Sequence, residues 1–375
     1  MKRLKEIKKP RIGLYSAGLS VYWDQFPGLH DCLMEYNQFL AQKLSDYGEV
    51  WNCQMVDSEE KGRAAGEFFN QHNVDLIFSH SATYYTSSSI LPIHQICKAP
   101  VIVLNLQPTP EMNYAKTGTD RWLAQCVACP VPELSNAFNR ANIPFRCING
   151  LLGLDYTPAF ALADEATDKR PEVVAAWREI REWCQAAMVK RTLQHASFGF
   201  LGGYYSGMLD MYSDFTLLQA QTGIHVEILE MCDLMHFLNQ VTQDDIREKE
   251  EEILDFFEIS GDSPSDPIAK KPGREQLSWS AKVAAAQEKL VKAKALDSLS
   301  YYYHGQDDNA YEQLQSGFIV GHSLLTAKGI ACSGEGDIKT ALAMKISDIL
   351  GKGGSFCEIV AADFNRNTIL LGHDG

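Results

Sequence analysis

The chain has 375 residues, of which 45% are hydrophobic and 22% are charged, so it is a folding chain of two or three domains and is neither disordered nor fibrous. Its 34 basic and 48 acidic residues give a net charge of -14 at pH 7, which disfavours nucleic acid and anionic membranes as partners. No apolar segment reaches the length that a bilayer span requires, so no membrane partner is expected.

The ten cysteines lie mostly in apolar segments and show no framework spacing. This pattern is typical of free thiols in a reducing compartment, and we expect a cytoplasmic protein. The basic start of the chain is followed by residues too few and too polar for the core of a signal peptide. The CxxC motif of Cys126 and Cys129 is that of a redox pair or of half a zinc site. Since no second CxxC and no histidine pair accompanies it, we interpret the two cysteines as packing residues.

Short apolar runs alternate with amphipathic segments through the first half of the chain. The apolar runs predict strands at residues 12–16, 50–56, 74–79, 101–106 and 145–148. The segments between them predict helices at residues 29–47, 59–72, 87–97 and 132–141. A helix after each strand is typical of a parallel sheet covered on both faces, so residues 1–193 are predicted to form an N-terminal α/β domain.

A helix predicted at residues 172–191 leads into a second α/β pattern. Strands are predicted at residues 197–201, 224–229, 297–303 and 329–332, and helices at residues 244–257, 275–295 and 338–350. Residues 356–364 and 368–371 predict a β-hairpin, which alone is marginally stable. The predicted fold is therefore α/β, with two Rossmann-like parallel-sheet domains, the second at residues 194–354. Residues 355–375 are expected to begin a C-terminal mainly-β domain that is incomplete.

Two carboxylates and an imidazole converge near the end of the chain. Glu335 lies in a Gly-Glu-Gly turn between a strand and a helix, and Glu358 lies on an otherwise apolar strand face. A two-residue hairpin loop puts His373 opposite Glu358, and a one-residue change of loop puts it diagonal. Such donors suit Mn²⁺, Zn²⁺, Co²⁺ or Fe²⁺. The alternative is that Glu335 caps a helix, Glu358 pairs with a basic residue and His373 is solvated.

Four motifs in this region carry a family resemblance. They are Leu-Ser-Tyr-Tyr-Tyr-His-Gly at 299–305, Gly-Ile-Ala-Cys-Ser-Gly-Glu-Gly-Asp-Ile-Lys-Thr-Ala at 329–341, Gly-Gly-Ser-Phe-Cys-Glu at 353–358 and Leu-Leu-Gly-His at 370–373. In order and spacing they resemble the L-arabinose isomerase and L-fucose isomerase superfamily, closest to the arabinose isomerases. The first two hundred residues resemble it only in their α/β pattern and strand ends.

The resemblance implies a catalytic Mn²⁺, with other divalent ions possible, held by Glu335, Glu358, His373 and a further histidine beyond residue 375. It implies aldose–ketose isomerisation of an open-chain sugar through an ene-diol, with Glu335 and Glu358 as the acid and base; a metal-assisted hydride shift is the alternative. It also implies a homo-oligomer with active sites between subunits, in which Gln107 reaches a neighbour's site.

Departures from the family pattern concern the sugar. Asn105-Leu-Gln107 stands where arabinose isomerases have His-Thr-Gln, and Tyr205 falls near the methionine of a Phe-Gly-Asp-Asn-Met-Arg loop. L-Arabinose is therefore in doubt, and the candidate sugar-binding residues are Gln107, Tyr205 and His80. His80 is alternatively a hydrogen-bonded strand-end residue. Two rival functions stay open: a non-catalytic sugar-binding protein of tandem α/β lobes, and a same-fold isomerase for a sulfonated or phosphorylated hexose.

Overall fold

The computed structural model describes residues 2–111, 115, 117–158, 166–268 and 270–373. The chain divides into two compact units, an N-terminal unit of Lys8–Arg191 and a C-terminal unit of Met1–Ile7 with Thr192–Gly375. The initial segment joins the C-terminal unit through Leu4 N, which donates to Lys328 O at 3.0 Å. The predicted domain boundaries at residues 193 and 354 stay predictions, because compactness does not measure independent folding.

The N-terminal unit is built on a five-stranded parallel sheet in the order β2-β1-β3-β4-β5. Its strands are β1 Arg11–Ala17, β2 Glu49–Val56, β3 Leu76–Ser81, β4 Val101–Gln107 and β5 Phe145–Leu151. Its helices are α1 Val21–Gln25, α2 Leu29–Ser45, α3 Glu59–Gln71, α4 Ser87–Ile96, α5 Thr119–Ala124, α6 Val131–Arg140 and α7 Pro171–Leu193. The neighbouring residues Leu14 and Tyr15 of β1 are both buried, yet they belong to separate apolar clusters. The sheet is thus covered on both faces, as predicted.

The C-terminal unit contains a four-stranded parallel sheet in the order β7-β6-β8-β9. Its strands are β6 Ser197–Gly202, β7 His225–Leu229, β8 Ser298–Tyr302 and β9 Ala331–Ser333. Its helices are α8 Phe215–Thr222, α9 Met231–Leu238, α10 Gln243–Phe256, α11 Arg274–Ala293, α12 Ala310–Gln315, α13 Phe318–Ala327 and α14 Ile338–Ile349, with a 3₁₀ turn at Leu209–Met211. The chain leaves β6 for β7 on one side and returns to β8 on the other. This reversal places a topological switch point at the carboxyl ends of β6 and β8.

A two-stranded antiparallel hairpin of β10 Glu358–Asp363 and β11 Thr368–Gly372 follows α14. The predicted fold class, two parallel-sheet units and a small C-terminal β element, is confirmed. Large apolar side chains of the hairpin are solvent-exposed, among them Ile359 at 72% and Phe364 at 93%. Along the described ranges, none of the helices combines the length and apolarity needed to cross a bilayer.

Burial makes the three core histidines resistant to protonation. His80, His94 and His322 are almost fully buried, and burial lowers the pKa of each imidazole to about 3. His322 of the C-terminal unit packs against the rings of Tyr301 and Phe318, with centroids at 4.6 and 5.6 Å. An unfolded chain protonates its histidines near pH 6.5, so acid favours unfolding at these positions.

We expect His322 to give the C-terminal unit a pH-dependent stability. Between its unfolded and folded pKa values, the unfolded chain binds one more proton than the folded chain. The free energy of unfolding therefore falls by about 1.4 kcal/mol for each pH unit below ~6.5 on account of His322. Urea unfolding at several pH values gives the slope of the unfolding free energy against pH. This slope should be shallower for His322→Gln than for the exposed control His195→Gln. Equal slopes in the two variants would contradict this prediction.

Candidate metal centre

A sharp strand-to-helix turn positions Glu335. β9 ends at Ser333, and the turn takes the left-handed backbone region at Glu335 (φ 58°) and Gly336 (φ 73°). Asp337 then caps α14, because its Oδ1 accepts from the backbone N–H groups of Lys339 and Thr340 at 3.1 and 3.0 Å. The capped turn holds the Glu335 side chain at the carboxyl edge of the sheet, where ligands of α/β proteins bind.

Backbone contacts fix this turn against two strand ends. Tyr205 N donates to Glu335 O at 2.9 Å, and Gly336 N donates to Tyr301 O at 2.9 Å. A Cβ at Gly336 would lie 2.4 Å from Gly203 O and 2.6 Å from Tyr204 Cα, so the loop after β6 sits directly on this glycine. The turn therefore requires glycine at position 336 for two reasons, the positive φ and the close approach.

Gly336→Ala should cost more stability than a positive φ alone explains. Gly351 has a similar φ of 71° and nothing within 4 Å of an added Cβ, which makes Gly351→Ala the matched control. We expect Gly351→Ala to lower the free energy of unfolding by about 1 kcal/mol and Gly336→Ala by roughly 2–4 kcal/mol, because only the latter displaces backbone. Urea unfolding measures both losses of stability. Equal losses in the two variants would show that the loop after β6 moves away from an added Cβ without cost.

A β-bulge in the hairpin sets the position of His373. Next to the turn, Asp363 pairs with Thr368, which is the register expected when Asn365 and Arg366 lie at the centre of the loop. The register shifts between Ile359 and Ala361, so Glu358 pairs with Gly372. His373 is therefore not directly opposite Glu358, and that alternative is wrong. The diagonal placement holds instead, produced by a bulge within the strand and not by a different loop.

The two elements bring three metal-ligating side chains together. One donor atom each from Glu335, Glu358 and His373 lies within 4.8 Å of the other two. Phe356 packs beside them, with its ring centroid 4.7 Å from the His373 ring and a ring atom 3.1 Å from a Cβ built on Gly334. We call Glu335, Glu358 and His373 the triad. Glu335 is partly buried, while Glu358 and His373 are exposed.

The surroundings of Glu335 disfavour its negative charge. Burial raises the pKa of this carboxyl, and the negative charges of Glu358, Asp337 and Asp210 raise it further, while His373 acts in the opposite direction. Two carboxylates and an imidazole at this spacing match the donors that Mn²⁺, Fe²⁺, Co²⁺ and Zn²⁺ take from proteins. A divalent cation would also relieve the mutual repulsion of the carboxylates, so the residues fit such an ion.

Tyr205 lies beside the triad. Besides donating its backbone N–H to Glu335 O, Tyr205 is exposed, and its ring centroid is 5.3 Å from that of Tyr302. The remaining candidate sugar-binding residues, His80 and Gln107, belong to the sheet of the N-terminal unit. Gln107 is exposed at the last position of β4, and its carbonyl accepts from Leu152 N at 2.8 Å. The use of these three residues in sugar binding stays a prediction.

Hydrogen bonds within the N-terminal unit account for His80. Its Nδ1 lies 2.8 Å from Ser16 Oγ, which accepts from Asn37 Nδ2 at 2.9 Å. Asn37 Oδ1 in turn accepts from Asn52 Nδ2 at 2.6 Å. The chain of polar groups supports a structural role for His80.

The CxxC motif lacks the electrostatics of a redox pair. Burial raises the pKa of the Cys126 thiol to about 12, and the neighbouring Cys129 raises it as well. Reactive members of CxxC pairs have a lowered pKa, because the thiolate is the reacting form. The raised pKa supports the interpretation that Cys126 is a packing residue.

Sequence reasoning missed a cleft of about 480 Å³ in the C-terminal unit. Its lining includes Tyr204, Glu230, Cys232, Tyr303, His304 and Tyr311. Glu230 directly follows β7. Its place in the sequence could have indicated the cleft, since residues that follow parallel strands gather at one edge of the sheet.

A segment of the C-terminal unit matches a known family model. Residues 213–353 match the family model of the L-arabinose isomerase central domain. This segment contains Glu335 but ends before Glu358 and His373. An L-arabinose isomerase from Vibrio parahaemolyticus is 24% identical over 218 residues, which are 54% of this chain and 41% of the relative. The chain thus spans about two fifths of that relative's length, and both matches support a likeness to arabinose isomerases; neither is to an L-fucose isomerase.

Two solved structures illustrate the structural comparison. A periplasmic solute-binding protein from Actinobacillus succinogenes with bound D-allose is 11% identical, with a TM-score of 0.20, over 92% of this chain and 94% of that chain. A solute-binding protein from Bacillus halodurans with bound myo-inositol is 9% identical, with a TM-score of 0.20, over 93% and 92%. Likeness at this level carries no argument about this chain.

Proposed function

We propose that this chain carries the metal-dependent catalytic centre of an aldose–ketose isomerase that acts on an open-chain sugar. The observation that carries the proposal is the convergence of Glu335, Glu358 and His373 beside the Gly-Glu-Gly turn. The turn lies within the segment that matches the central domain of L-arabinose isomerase, which is a sugar isomerase by its name. Two carboxylates within reach of each other are also the groups that a proton shuttle between neighbouring carbons requires.

The triad would hold a divalent cation, with Mn²⁺ as the expected ion. When bound, such an ion supplies Lewis-acid polarisation of a sugar carbonyl and orients the neighbouring hydroxyl. Glu335 lies in the Gly-Glu-Gly turn and Glu358 begins the bulged strand β10. The donor atoms of these two separate elements lie within 4.8 Å of each other. The backbone therefore brings both carboxyl groups to the same place before a substrate arrives.

The two glutamates would act as the acid and base. One carboxylate removes the proton from C2 of the aldose, the hydroxyl proton moves from O2 to O1, and a carboxylic acid delivers a proton to C1 of the resulting ene-diol. This sequence converts an aldehyde into a ketone without a net change in protons.

A screen of aldoses with and without Mn²⁺ tests the proposal. The full chain, freed of metal by a chelator and then reloaded, should convert at least one aldose into the corresponding ketose, and activity should vanish again on chelation. Glu358→Gln provides an inactive control for traces of other isomerases. Saturable sugar binding without ketose formation under any divalent metal would instead support a non-catalytic sugar-binding protein.

A further inference from the structure

A second cavity, of about 570 Å³, lies in the N-terminal unit beside the end strand of its sheet. Its lining comes from three consecutive elements: the first two turns of α2, the second half of β2 and one side of α3. We call this cavity the edge pocket. None of the described residues that line it belongs to the C-terminal unit, so it is separate from the triad. Its volume is in the range of small-molecule sites.

Apolar side chains form the floor and walls of the edge pocket. Met55 and Ala65 are 5% and 4% exposed, while Met34 and Phe68 are partly buried. The Phe68 ring packs against Trp51, with the two ring centroids 5.9 Å apart. Thioether groups and rings make favourable contacts with an aromatic ring, through sulfur–ring and edge-to-face geometries. The apolar part of a matching ligand is therefore an aromatic ring.

A β-bulge shapes the polar side of the edge pocket. The register of β1 against β2 shifts beyond Leu14, which leaves one extra residue in β2. Gln54, within this bulge, has a φ of 60°, a left-handed conformation that is uncommon outside glycine. Its N–H donates to Asn52 Oδ1 at 2.8 Å, and Asn52 Nδ2 donates to Asn37 Oδ1 at 2.6 Å. Because the fully buried Asn37 holds the bulge, this backbone is a fixed feature, and such bulges redirect side chains at binding sites.

Two side chains at the edge pocket have hydrogen-bond donors available for a ligand. The Gln54 side chain is exposed, and its amide has no hydrogen-bond partner in the described part of the chain. The Lys61 ammonium lies 2.8 Å from Asp57 Oδ1, and Asp57 Oδ2 accepts from Trp23 Nε1 at 2.8 Å. An ammonium has three donors, so two remain. The buried Asp57 thus orients Lys61 without using all of its donors.

The charge of the edge pocket favours an anion with a single negative charge. Among the described residues its lining contains Lys61 and His30 but neither aspartate nor glutamate, on a chain with a net charge of -14. A carboxylate accepts hydrogen bonds from an ammonium and an amide at once. An amine would be repelled by Lys61, and a doubly charged phosphate would meet a lysine whose charge Asp57 already offsets in part.

From these observations we propose that the edge pocket binds a small aromatic carboxylate. The ring lies against Met34, Met55 and Phe68, and the carboxylate accepts hydrogen bonds from Lys61 and Gln54. This binding is additional to the isomerase function and does not depend on it, because the edge pocket and the triad share no residue.

Methionine methyl NMR tests the proposal without any measurement of turnover. The full chain is labelled with ¹³C-methyl methionine and titrated with 3-phenylpropionate, and in parallel with 3-phenylpropylamine, hexanoate and phenyl phosphate. Single methionine-to-leucine variants assign the methyl signals. We expect 3-phenylpropionate to shift the signals of Met34 and Met55 saturably. The signal of Met188, which lies on α7 and does not line the edge pocket, should stay unchanged.

Variants locate the ligand. Ala64 is exposed and lines the edge pocket, so Ala64→Trp should fill the pocket and abolish binding of 3-phenylpropionate. Arg63→Trp places the same ring at an exposed position of α3 that does not line the pocket, and it should keep wild-type affinity. Lys61→Gln should raise the Kd about threefold, as expected for an exposed ion pair, while Lys169→Gln should leave it unchanged. Circular dichroism checks that the four variants remain folded.

The outcomes decide the proposal independently of the isomerase. Saturable shifts of Met34 and Met55 with 3-phenylpropionate that Ala64→Trp removes would support it. Absence of shifts up to about 20 mM, a range that covers the weak affinity of a ligand of this size, would overturn it. Equal or tighter binding of the amine, hexanoate or phenyl phosphate would also overturn it, as would unchanged affinity in Lys61→Gln. Success or failure of the aldose screen changes none of these outcomes.

Discussion

Glu335→Gln and Glu358→Gln are each expected to abolish isomerase turnover in a chain that stays folded. Glutamine keeps the size of the side chain but cannot exchange a proton, and it is a poor metal ligand. General acid–base catalysis alone contributes about a hundredfold or more to rate, so the loss of kcat should exceed ~10². A capping role for Glu335 would predict only about 1 kcal/mol of lost stability and normal turnover.

Two measurements distinguish these outcomes. Initial rates of ketose formation at saturating Mn²⁺ give kcat, and the melting temperature shows whether folding is intact. Glu248→Gln serves as the control, since it removes an exposed carboxylate on α10 and should keep wild-type kcat. Near-normal turnover of either triad variant with metal bound would overturn the assignment of the two glutamates.

Glu288→Gln should be strongly destabilising, because Glu288 lies in a network with two buried lysines. Its Oε2 accepts from Lys249 Nζ and Lys328 Nζ, each at 2.7 Å, and both lysines are only 8% exposed. Burial alone would raise the pKa of Glu288, but hydrogen bonds from Lys249, Lys292 and Lys328 hold it well below its usual range. Breaking a buried ion pair commonly costs 3–5 kcal/mol; we expect about 2–3 kcal/mol, because Glu252 still pairs with both lysines.

The pH dependence of Glu288 follows from its lowered pKa. Its stabilising contribution is present above the pKa of an unfolded glutamate, about 4.3, and is lost as the pH falls from there toward the folded value. Urea unfolding near neutral pH should show the full difference between wild type and Glu288→Gln, and the difference should shrink in acid. Glu248→Gln should lose little at any pH, because its carboxylate is exposed. A constant difference down to strong acid would contradict this account.

Local patterns were sufficient to predict the sheets. β1 was predicted at residues 12–16 and spans Arg11–Ala17, because an unbroken apolar run can satisfy both buried faces of a parallel strand. The short helix α5, Thr119–Ala124, was not predicted, since six residues carry too few apolar repeats to show a helical period. Asp337 caps α14, which is a local feature, because a cap depends only on its neighbours in sequence.

The geometry of the candidate site depends on contacts that no local pattern encodes. The resemblance implied that Glu335 and Glu358 lie together, but nothing in the sequence indicated the bulge at Val360, since a strand gives no signal of where its partner skips a residue. The cleft was missed for a similar reason. Gly202, Glu230 and Tyr303 are far apart in sequence and meet only because the strand order puts β6 between β7 and β8.

Titration of the chelator-treated chain with Mn²⁺, followed by the electron paramagnetic resonance signal of free Mn²⁺, tests the triad most directly. We expect saturable binding in wild type and a loss of affinity of about tenfold or more in Glu335→Gln, Glu358→Gln and His373→Ala, each of which removes one donor. Asp210→Asn removes a negative charge that acts on Glu335 but no triad donor, and its affinity should stay within about twofold of wild type. Equal Mn²⁺ affinity in wild type and all three triad variants would contradict the assignment of Glu335, Glu358 and His373 as a metal site.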